Sequence, residues 1–358
     1  MTQRECEILQ LIRENPMISQ QQLADRLGIT RSSAAVHISN LMKKGLIAGK
    51  GYVVAPEAYA VVIGGVNVDI GGVSHGALRA GDSNPGRVRM SLGGVGRNIA
   101  HNMALLGVNT RMLTALGDDL HAQTIIASCS ELGIDISRSL QIPGGRTSTY
   151  LFIADQAGDM ALAVSDMDIY EHVTPEFLGS RAQLLSNAQV VVLDTNIPAE
   201  SIAWVTEHID CPVFVDPVST AKAEKLRPVL GKIHTLKPNR MEAELLSGVA
   251  ITDEESLNRA ADALLATGLK RVFISLGADG VYAAEGENRC HLPNLPGKMV
   301  NTTGCGDAFL AALVWAHLEG ADLRQSALAG LAAGSIAMES EETINPNMSA
   351  EALMGRMG

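Results

Sequence analysis

Cysteine is scarce and scattered in this chain of 358 residues. The thiols Cys6, Cys129, Cys211, Cys290 and Cys305 are odd in number and nowhere spaced as CxxC. That excludes a disulfide framework and a zinc site of the usual spacing. His234, His291 and His317 likewise have no partner at metal spacing and read as structural or surface residues. Although 46% of the residues are hydrophobic, no apolar run approaches the roughly 20 residues of a membrane span. The opening Met-Thr-Gln-Arg-Glu is charged and lacks an export core, so a soluble, cytoplasmic protein without a membrane partner is expected. Internal repeats and low-complexity tracts are missing too. Neither common phosphate signature is complete. Gly45-Leu-Ile-Ala-Gly49-Lys50-Gly51 has the wrong spacing for a Walker A loop and no following Ser or Thr. Gly94-Val-Gly96-Arg-Asn-Ile99 lacks the third glycine of a dinucleotide fingerprint. A P-loop NTPase and a simple Rossmann dehydrogenase are thereby excluded.

What is present is unevenly charged. Residues 1–56 carry seven Lys/Arg against four Asp/Glu, a net of +3; with the total at −11, residues 57–358 carry −14. A basic head on an acidic body points to two jobs. The head reads as three helices, over 2–14, Gln20–Leu27 and Thr30 to about Lys44, placed by their apolar stripes and by Asn15-Pro16, Ser19, Gly28 and Thr30 at their ends. Gly45–Val54 alternates like a small hairpin. Together they resemble a winged helix-turn-helix, with Arg31, Ser33, His37, Asn40 and Lys44 on the polar face of the third helix and Lys50 on the wing as DNA-contact candidates. A helical dimerisation module is the alternative.

The body begins near Tyr59. Short apolar runs at Ala60–Gly64, Arg111–Ala115, Val190–Leu193, Val213–Val215, Thr235–Leu236 and Val272–Leu276 alternate with helical segments. That rhythm predicts a mostly parallel sheet with helices on both faces. Residues 70–92 and 146–166 break it with half-polar alternating stretches, which predict a small accessory sheet able to cover a site.

The chemistry concentrates in Asn301-Thr-Thr-Gly-Cys-Gly-Asp307, which runs into the apolar helix formers Ala308–Ala316. A glycine turn feeding a helix N-terminus aims unpaired N–H groups and the positive end of the dipole at one point, a place for phosphate. Asp307 beside an anion site makes sense as a base that deprotonates an attacking hydroxyl, or it simply caps the helix. A second turn, Gly93-Gly-Val-Gly-Arg-Asn98, predicts a helix Asn98–Leu106 and close ligand approach. Asn67 and Asp69, two apart on an extended segment, share a face that suits adjacent sugar hydroxyls, or they form an Asx turn. Asp216-Pro217 lies either near a metal or in a plain turn.

Five motifs in order, Gly65-Val-Asn67-Val-Asp69, Gly93 to Asn98, Lys237-Pro-Asn239-Arg-Met-Glu242, Ser275-Leu-Gly277-Ala-Asp-Gly280 and Thr302-Thr-Gly304-Cys-Gly306-Asp307, resemble the ribokinase (PfkB) family of carbohydrate and nucleoside kinases over residues 59–348. Within it, Asp82-Ser83-Asn84-Pro-Gly86, Gly96 to Ala100 and Val-Ser-Asp166-Met are most similar to the pseudouridine kinases. The resemblance implies an α/β, ribokinase-like three-layer sandwich with a β-sheet lid, preceded by an all-α winged helix-turn-helix domain, the division falling at 56/57. It implies ATP-dependent phosphorylation of a nucleoside 5′-hydroxyl, and a homodimer paired through the lids. Asp307 would be the base, and the amides of Gly304, Cys305 and Gly306 the anion hole. Asn67, Asp69, Gly94, Asn98 and Asp166 would bind the sugar; Arg97, Asp82, Ser83 and Asn84 would face the base. Lys237, Asn239, Ser275, Gly277, Gly280 and Thr302 would line the nucleotide, and Asn239 with Glu242 would organise Mg²⁺. The family places Asp where Asn301 stands, an acid that helps hold an activating monovalent cation, so that cofactor is left open. It places Ala where Cys305 stands, a change read as inert or as a reactive thiol. Other acceptors consistent with these motifs are another nucleoside or free ribose. A ligand-sensing transcriptional regulator that kept the fold is the rival from another class.

Overall fold

The computed structural model describes residues 1–49 and 58–358 and divides into two compact units, Met1–Ala58 and Tyr59–Gly358. The expected boundary at 56/57, Lys50 and most of the wing lie outside the described residues. In the first unit, helices Gln3–Glu14, Gln20–Leu27 and Arg31–Lys43 begin at side-chain caps on Thr2, Ser19 and Thr30. The first two caps are capping boxes completed by Glu5 and Gln22, which satisfies otherwise orphaned N–H groups. Gly28, at a φ of 62°, ends the second helix in the left-handed region. Ile8, Ile12, Leu23, Ala34, Ile38 and Leu41 close one small core.

The second unit is built on an eight-stranded sheet. From one edge to the other its strands are Asn288–Leu292, Val281–Glu285, Arg271–Ser275, Thr235–Leu236, Val213–Asp216, Val190–Asp194, Ala60–Ile63 and Thr110–Leu113. All neighbours are parallel except Val281–Glu285, which is antiparallel to both flanking strands. That pair was not legible as strand from the pattern. The other strands read as buried apolar runs because helices cover both faces. Val61, Ile63, Val191 and Leu193 point into the core shared with helices Ala199–His208 and Glu254–Ala266. Their sequence neighbours Ala60, Val62, Val190 and Val192 point into the other, shared with Val95–Leu105, Cys305–Leu318 and Leu323–Ala337. Past their first turns the last two helices are apolar on most faces because they are packed on most faces.

A four-stranded sheet, in the order Gly86–Gly93, Asn67–Ser74, Thr149–Ala154 and Met160–Asp166, forms the lid. Val88, Met90, Leu151, Leu162 and Val164 are exposed on it. The helix expected from Asn98 starts three residues earlier, at Val95, because Gly94 supplies the break. At a φ of 96° a Cβ on Gly94 would lie 2.5 Å from the Gly65 carbonyl oxygen, a backbone atom that cannot yield. Gly94→Ala should therefore lower the thermal midpoint by several degrees, since strain of this kind costs about 1–3 kcal/mol before the overlap is counted. A melt superimposable on the wild type would show that the turn relaxes without loss.

Candidate active site

Two helix N-termini meet at the carboxyl ends of the sheet strands, the edge where open α/β sheets bind ligands. Helix Cys305–Leu318 starts at Gly304, whose φ of 83° and whose approach to the Thr343 carbonyl leave no room for a side chain. No side chain caps this N-terminus. Asp307 instead accepts a hydrogen bond at 2.9 Å from Asn98 Nδ2, in the first turn of helix Val95–Leu105. Of the three amides expected to form the anion hole, Cys305 N–H donates to the Thr302 carbonyl at 3.3 Å and closes the turn. Gly306 N–H lies in the first helical turn, where no intrahelical acceptor exists.

Burial is the main force raising the Asp307 carboxyl to about 7, and the neighbouring Asp216 charge adds to it; the Asn98 bond and Lys237 oppose them. Lys237 is buried, 3.2 Å from Asp216 Oδ2, and stands beside Gly306, where an added Cβ would come within 3.3 Å of Nζ. Burial alone would depress the Lys237 ammonium, but the Asp216, Glu242 and Asp307 carboxylates outweigh it and raise it. A fixed cation thus faces the anion turn. The second carbonyl-edge acid, Asp216, is held by a strained turn. Val218 has a φ of 63°, rare for a β-branched residue, with Ser219 N–H donating to the Pro217 carbonyl and Val218 N–H to Asp216 Oδ1.

A cavity of about 370 Å³ opens beside the turn and is lined by Lys237, Ser275, Gly277, Gly280, Thr302 and Gly306, with Phe309, Leu331 and Met338 as its apolar wall. Of the residues expected around a nucleotide only Asn239 is absent from the lining. It caps helix Arg240–Ser247: its side chain accepts from Glu242 N–H at 3.0 Å, and its own N–H donates to Glu242 Oε2 at 2.9 Å. Glu242 is buried, and burial raises its carboxyl. Among the described residues no group of three or more His, Cys, Asp or Glu side chains is preformed to hold a metal ion. Asn301 is a loop staple, donating to the Glu341 carbonyl and accepting from Thr303 N–H. Burial and Asp307 raise the Cys305 thiol, which disfavours the reactive-thiolate alternative.

Asn67 and Asp69 lie on lid strand Asn67–Ser74, and Asn67 Nδ2 donates to Asp69 Oδ1 at 2.5 Å. Gly93 on the paired strand leaves space for that carboxylate, 2.1 Å from where its Cβ would be. Asp166 does not join them. Thr149 pairs with both Val68 and Asp166, so Asp166 shares a face with Val68, and Asp69 projects from the other. Asp166 lines a separate cavity with Asp119, His121 and Arg146. Arg97 points inward as well, donating to the Leu92 carbonyl and to Ser128 Oγ rather than facing a ligand. Asp82, Ser83 and Asn84 form an outer loop in which Asn84 is engaged with the Arg79 backbone. Asp82 and Asn84 border a groove with Gly72, Val88 and Ile153.

Reading the sequence missed Asp194 and Asn196. Asp194 is fully buried and accepts N–H donors from Gly65, Gly96 and Asn196, each at 2.8 Å. Asn196 abuts Gly65 and accepts from Lys222 Nζ at 2.5 Å. Their signal was available: an Asp-Thr-Asn run directly after the apolar strand Val190–Leu193.

In the head, Ser33, His37 and Asn40 are half-buried, flanking the core stripe, whereas Ser32, Val36 and Ser39 form the exposed face. Lys44 is engaged too, at 2.7 Å from the little-exposed Glu5 carboxylate. Arg31 and Lys43 stay exposed.

A family model of the pfkB carbohydrate kinases matches residues 57–350. The chain belongs to the pfkB family. A model of winged helix-turn-helix DNA-binding domains matches residues 1–48. The pseudouridine kinase of Escherichia coli K12 is 40% identical over 294 residues, 81% of this chain and 94% of the relative. An uncharacterized sugar kinase of the same organism, YeiI, is 41% identical over 353 residues, 98% of each chain. The structure of Arabidopsis thaliana ribokinase complexed with ribose and ATP shares the fold, with a TM-score of 0.75, 23% identity and coverage of 84% of this chain and 98% of that one. The protein is thus a nucleoside or sugar kinase of the pfkB type, an enzyme that phosphorylates a hydroxyl group.

Keeping Asp307 ionised in this setting opposes folding. Between about pH 4 and pH 7 the unfolded chain loses the Asp307 proton while the folded chain keeps it, so wild-type stability falls across that window and stays lower above it. Asp307→Asn should therefore melt higher than wild type at pH 8, with the gain vanishing near pH 4. Equal melting temperatures at pH 8 would show that the folded carboxyl titrates normally.

Proposed function

We propose that the enzyme transfers the γ-phosphoryl group of ATP to the 5′-hydroxyl of a nucleoside, with pseudouridine as the preferred acceptor. The observation that carries this reading is the half-buried, proton-retaining Asp307, bonded to Asn98 beside an uncapped helix N-terminus and a fixed lysine, in a turn whose Cys305 and Gly306 line a nucleotide-sized cavity. The acceptor assignment draws support from the pseudouridine kinase relative.

Asp307 takes the proton as the hydroxyl attacks, and Asn98 orients it. Negative charge on the transferred group falls on the Gly304 and Gly306 amides, the dipole of helix Cys305–Leu318 and Lys237. Asn67 and Asp69 hold sugar hydroxyls under the lid, which excludes water. Mg²⁺ fits this donor set: Asp194, Asp216 and Glu242 are acidic neighbours of Asp307 and Lys237, and their mutual repulsion is what a divalent cation relieves. Asp216 and Glu242 would hold it, largely through water, and it would neutralise the phosphates when bound. The cytoplasm suits such a chain, in which no helix among the described residues is long and apolar enough to cross a membrane. The exposed apolar residues of the lid favour pairing of two copies.

At saturating Mg-ATP, kcat/KM should rank pseudouridine above uridine and both above ribose. Asp307→Asn should keep nucleoside binding while losing roughly 10²–10⁴-fold in kcat. Ribose ranked first would return the enzyme to sugar phosphorylation, and wild-type turnover without the carboxylate would remove Asp307 from the chemistry.

The head supports a second role, duplex DNA binding, through the exposed Ser32, Val36 and Ser39 between Arg31 and Lys43. The full chain should bind a duplex from upstream of its own coding region, with log K falling by about 0.9 per neutralised phosphate for each unit of log salt. A chain starting at Tyr59 should not bind. Equal binding by both, or none at low salt, makes the head an assembly module.

A further inference from the structure

One wall of the 370 Å³ cavity is a loop, residues 293–300, that joins strand Asn288–Leu292 to the anion turn. Such a loop has few ways to stay in place: it is largely exposed and has no ladder of its own. Asn294 ties its start, Nδ2 donating to the Gly277 and Ala278 carbonyls at 2.7 and 3.2 Å, and the stretch that follows is fixed from behind. Arg356, on helix Ala350–Met357, donates through Nη1 to the Pro296 carbonyl at 3.1 Å, to Ser335 Oγ at 2.6 Å and to Glu339 Oε1 at 3.1 Å. Its Nη2 donates to Glu339 Oε2 at 3.1 Å. Ser335 Oγ donates in turn to the Pro296 carbonyl at 2.9 Å, and Lys298 N–H to Glu339 Oε1 at 3.4 Å. Gly297 lets the loop come this close, since a Cβ there would stand 2.7 Å from Ser335 Oγ. Beyond the clamp the loop follows helix Leu323–Ala337 into the catalytic turn, with Val300 and Asn301 N–H both donating to the Met338 carbonyl.

The guanidinium suits this task. Its planar fork engages one carboxylate with two parallel bonds and still reaches a carbonyl and a hydroxyl, which a lysine cannot do. Its helix is held independently: Leu353, one turn earlier, is fully buried in the core, and Ser349 caps the N-terminus. Ser335, Leu295, Met299 and Met338 line the cavity, whereas Arg356 and Glu339 stand behind it. Arg356 therefore touches the wall and not the space.

We propose that Arg356 is a positioning residue for the phosphate donor, clamping the 293–300 loop through Pro296, Ser335 and Glu339 so that the wall of the donor cavity keeps one shape. The proposal rests on reading that cavity as the nucleotide site. With the clamp released the wall samples wider positions, and the donor must supply the ordering when it binds. The acceptor side, built on the lid and helix Val95–Leu105, shares no residue with the clamp.

The test measures KM for ATP, KM for pseudouridine, kcat and thermal midpoint for Arg356→Ala, Arg356→Lys and Glu339→Gln in the full chain, with ATP affinity by calorimetry. Arg356→Ala should raise KM for ATP by about tenfold while leaving kcat and KM for pseudouridine within about twofold. Arg356→Lys and Glu339→Gln should fall between it and the wild type. Gly334→Leu, which fills the cavity from a helical site with only the Cys305 carbonyl within 4 Å of its Cβ, should abolish ATP binding. If Gly334→Leu binds ATP normally, the cavity is not the nucleotide site. If it abolishes binding but Arg356→Ala leaves KM for ATP unchanged, or raises both KM values alike in step with a lowered melting point, the positioning role is overturned. Should Arg356→Ala fail to fold, the two milder variants decide by the same split between donor and acceptor.

Discussion

A single buried carboxylate holds the catalytic edge together. Asp194 sits at the carboxyl end of a central strand and accepts backbone N–H groups from three separate segments: the exit of the first strand at Gly65, the first turn of helix Val95–Leu105 at Gly96, and its own loop at Asn196. The glycines are demanded by that convergence, for a Cβ on Gly64 would lie 2.4 Å from the Asp194 carboxylate and one on Gly96 3.1 Å away. Burial raises its carboxyl, and the backbone donors counter that rise. Everything that must be placed to a fraction of an ångström hangs from this knot: Asn67 two residues beyond Gly65, Asn98 two beyond Gly96, and through Asn98 the Asp307 carboxylate.

The site is also an electrostatic compromise. Asp216, Glu242 and Asp307 together keep Lys237 charged, while burial, with the charges of Asp216 and Asp194 adding to it, leads Asp307 to hold its proton to about pH 7. That is the range in which a base accepts a proton readily yet is not already blocked by one. The helix dipole and the unsatisfied amides at Gly304 and Gly306 point the opposite way, toward an anion. In the proposed chemistry the same few residues would both raise the base and attract the phosphoryl group, at a cost in stability.

The architecture was largely legible because its signals are local. Apolar runs of four or five residues, helix caps at Ser19 and Thr30, and the glycine turns at 93–94 and 304 each declare themselves within a few positions. The antiparallel edge was not, since Val281–Glu285 and Asn288–Leu292 carry no alternation that separates them from loop. Side-chain direction was the other gap. Asp166 was grouped with Asp69 by motif, but pairing through Thr149 turns it to the opposite face of the lid. Arg97 sits in a motif expected to touch ligand, yet its guanidinium finds the Leu92 carbonyl inside. Lys44 looked free until Glu5, 39 positions earlier, claimed it. Asp194 was invisible for the same reason: nothing beside it in the chain announces donors at Gly65 and Gly96.

The lid is assembled from pieces far apart in the chain. Strand Asn67–Ser74 pairs in parallel with Thr149–Ala154, and two body helices, Val95–Leu105 and Leu120–Glu131, lie between them in sequence. A parallel pairing of such wide separation closes a long loop before its contacts repay the entropy, whereas Val281–Glu285 and Asn288–Leu292 meet across two residues. By that measure the 281–292 hairpin is a local contact, while the lid pairing must wait until the body has brought its roots together.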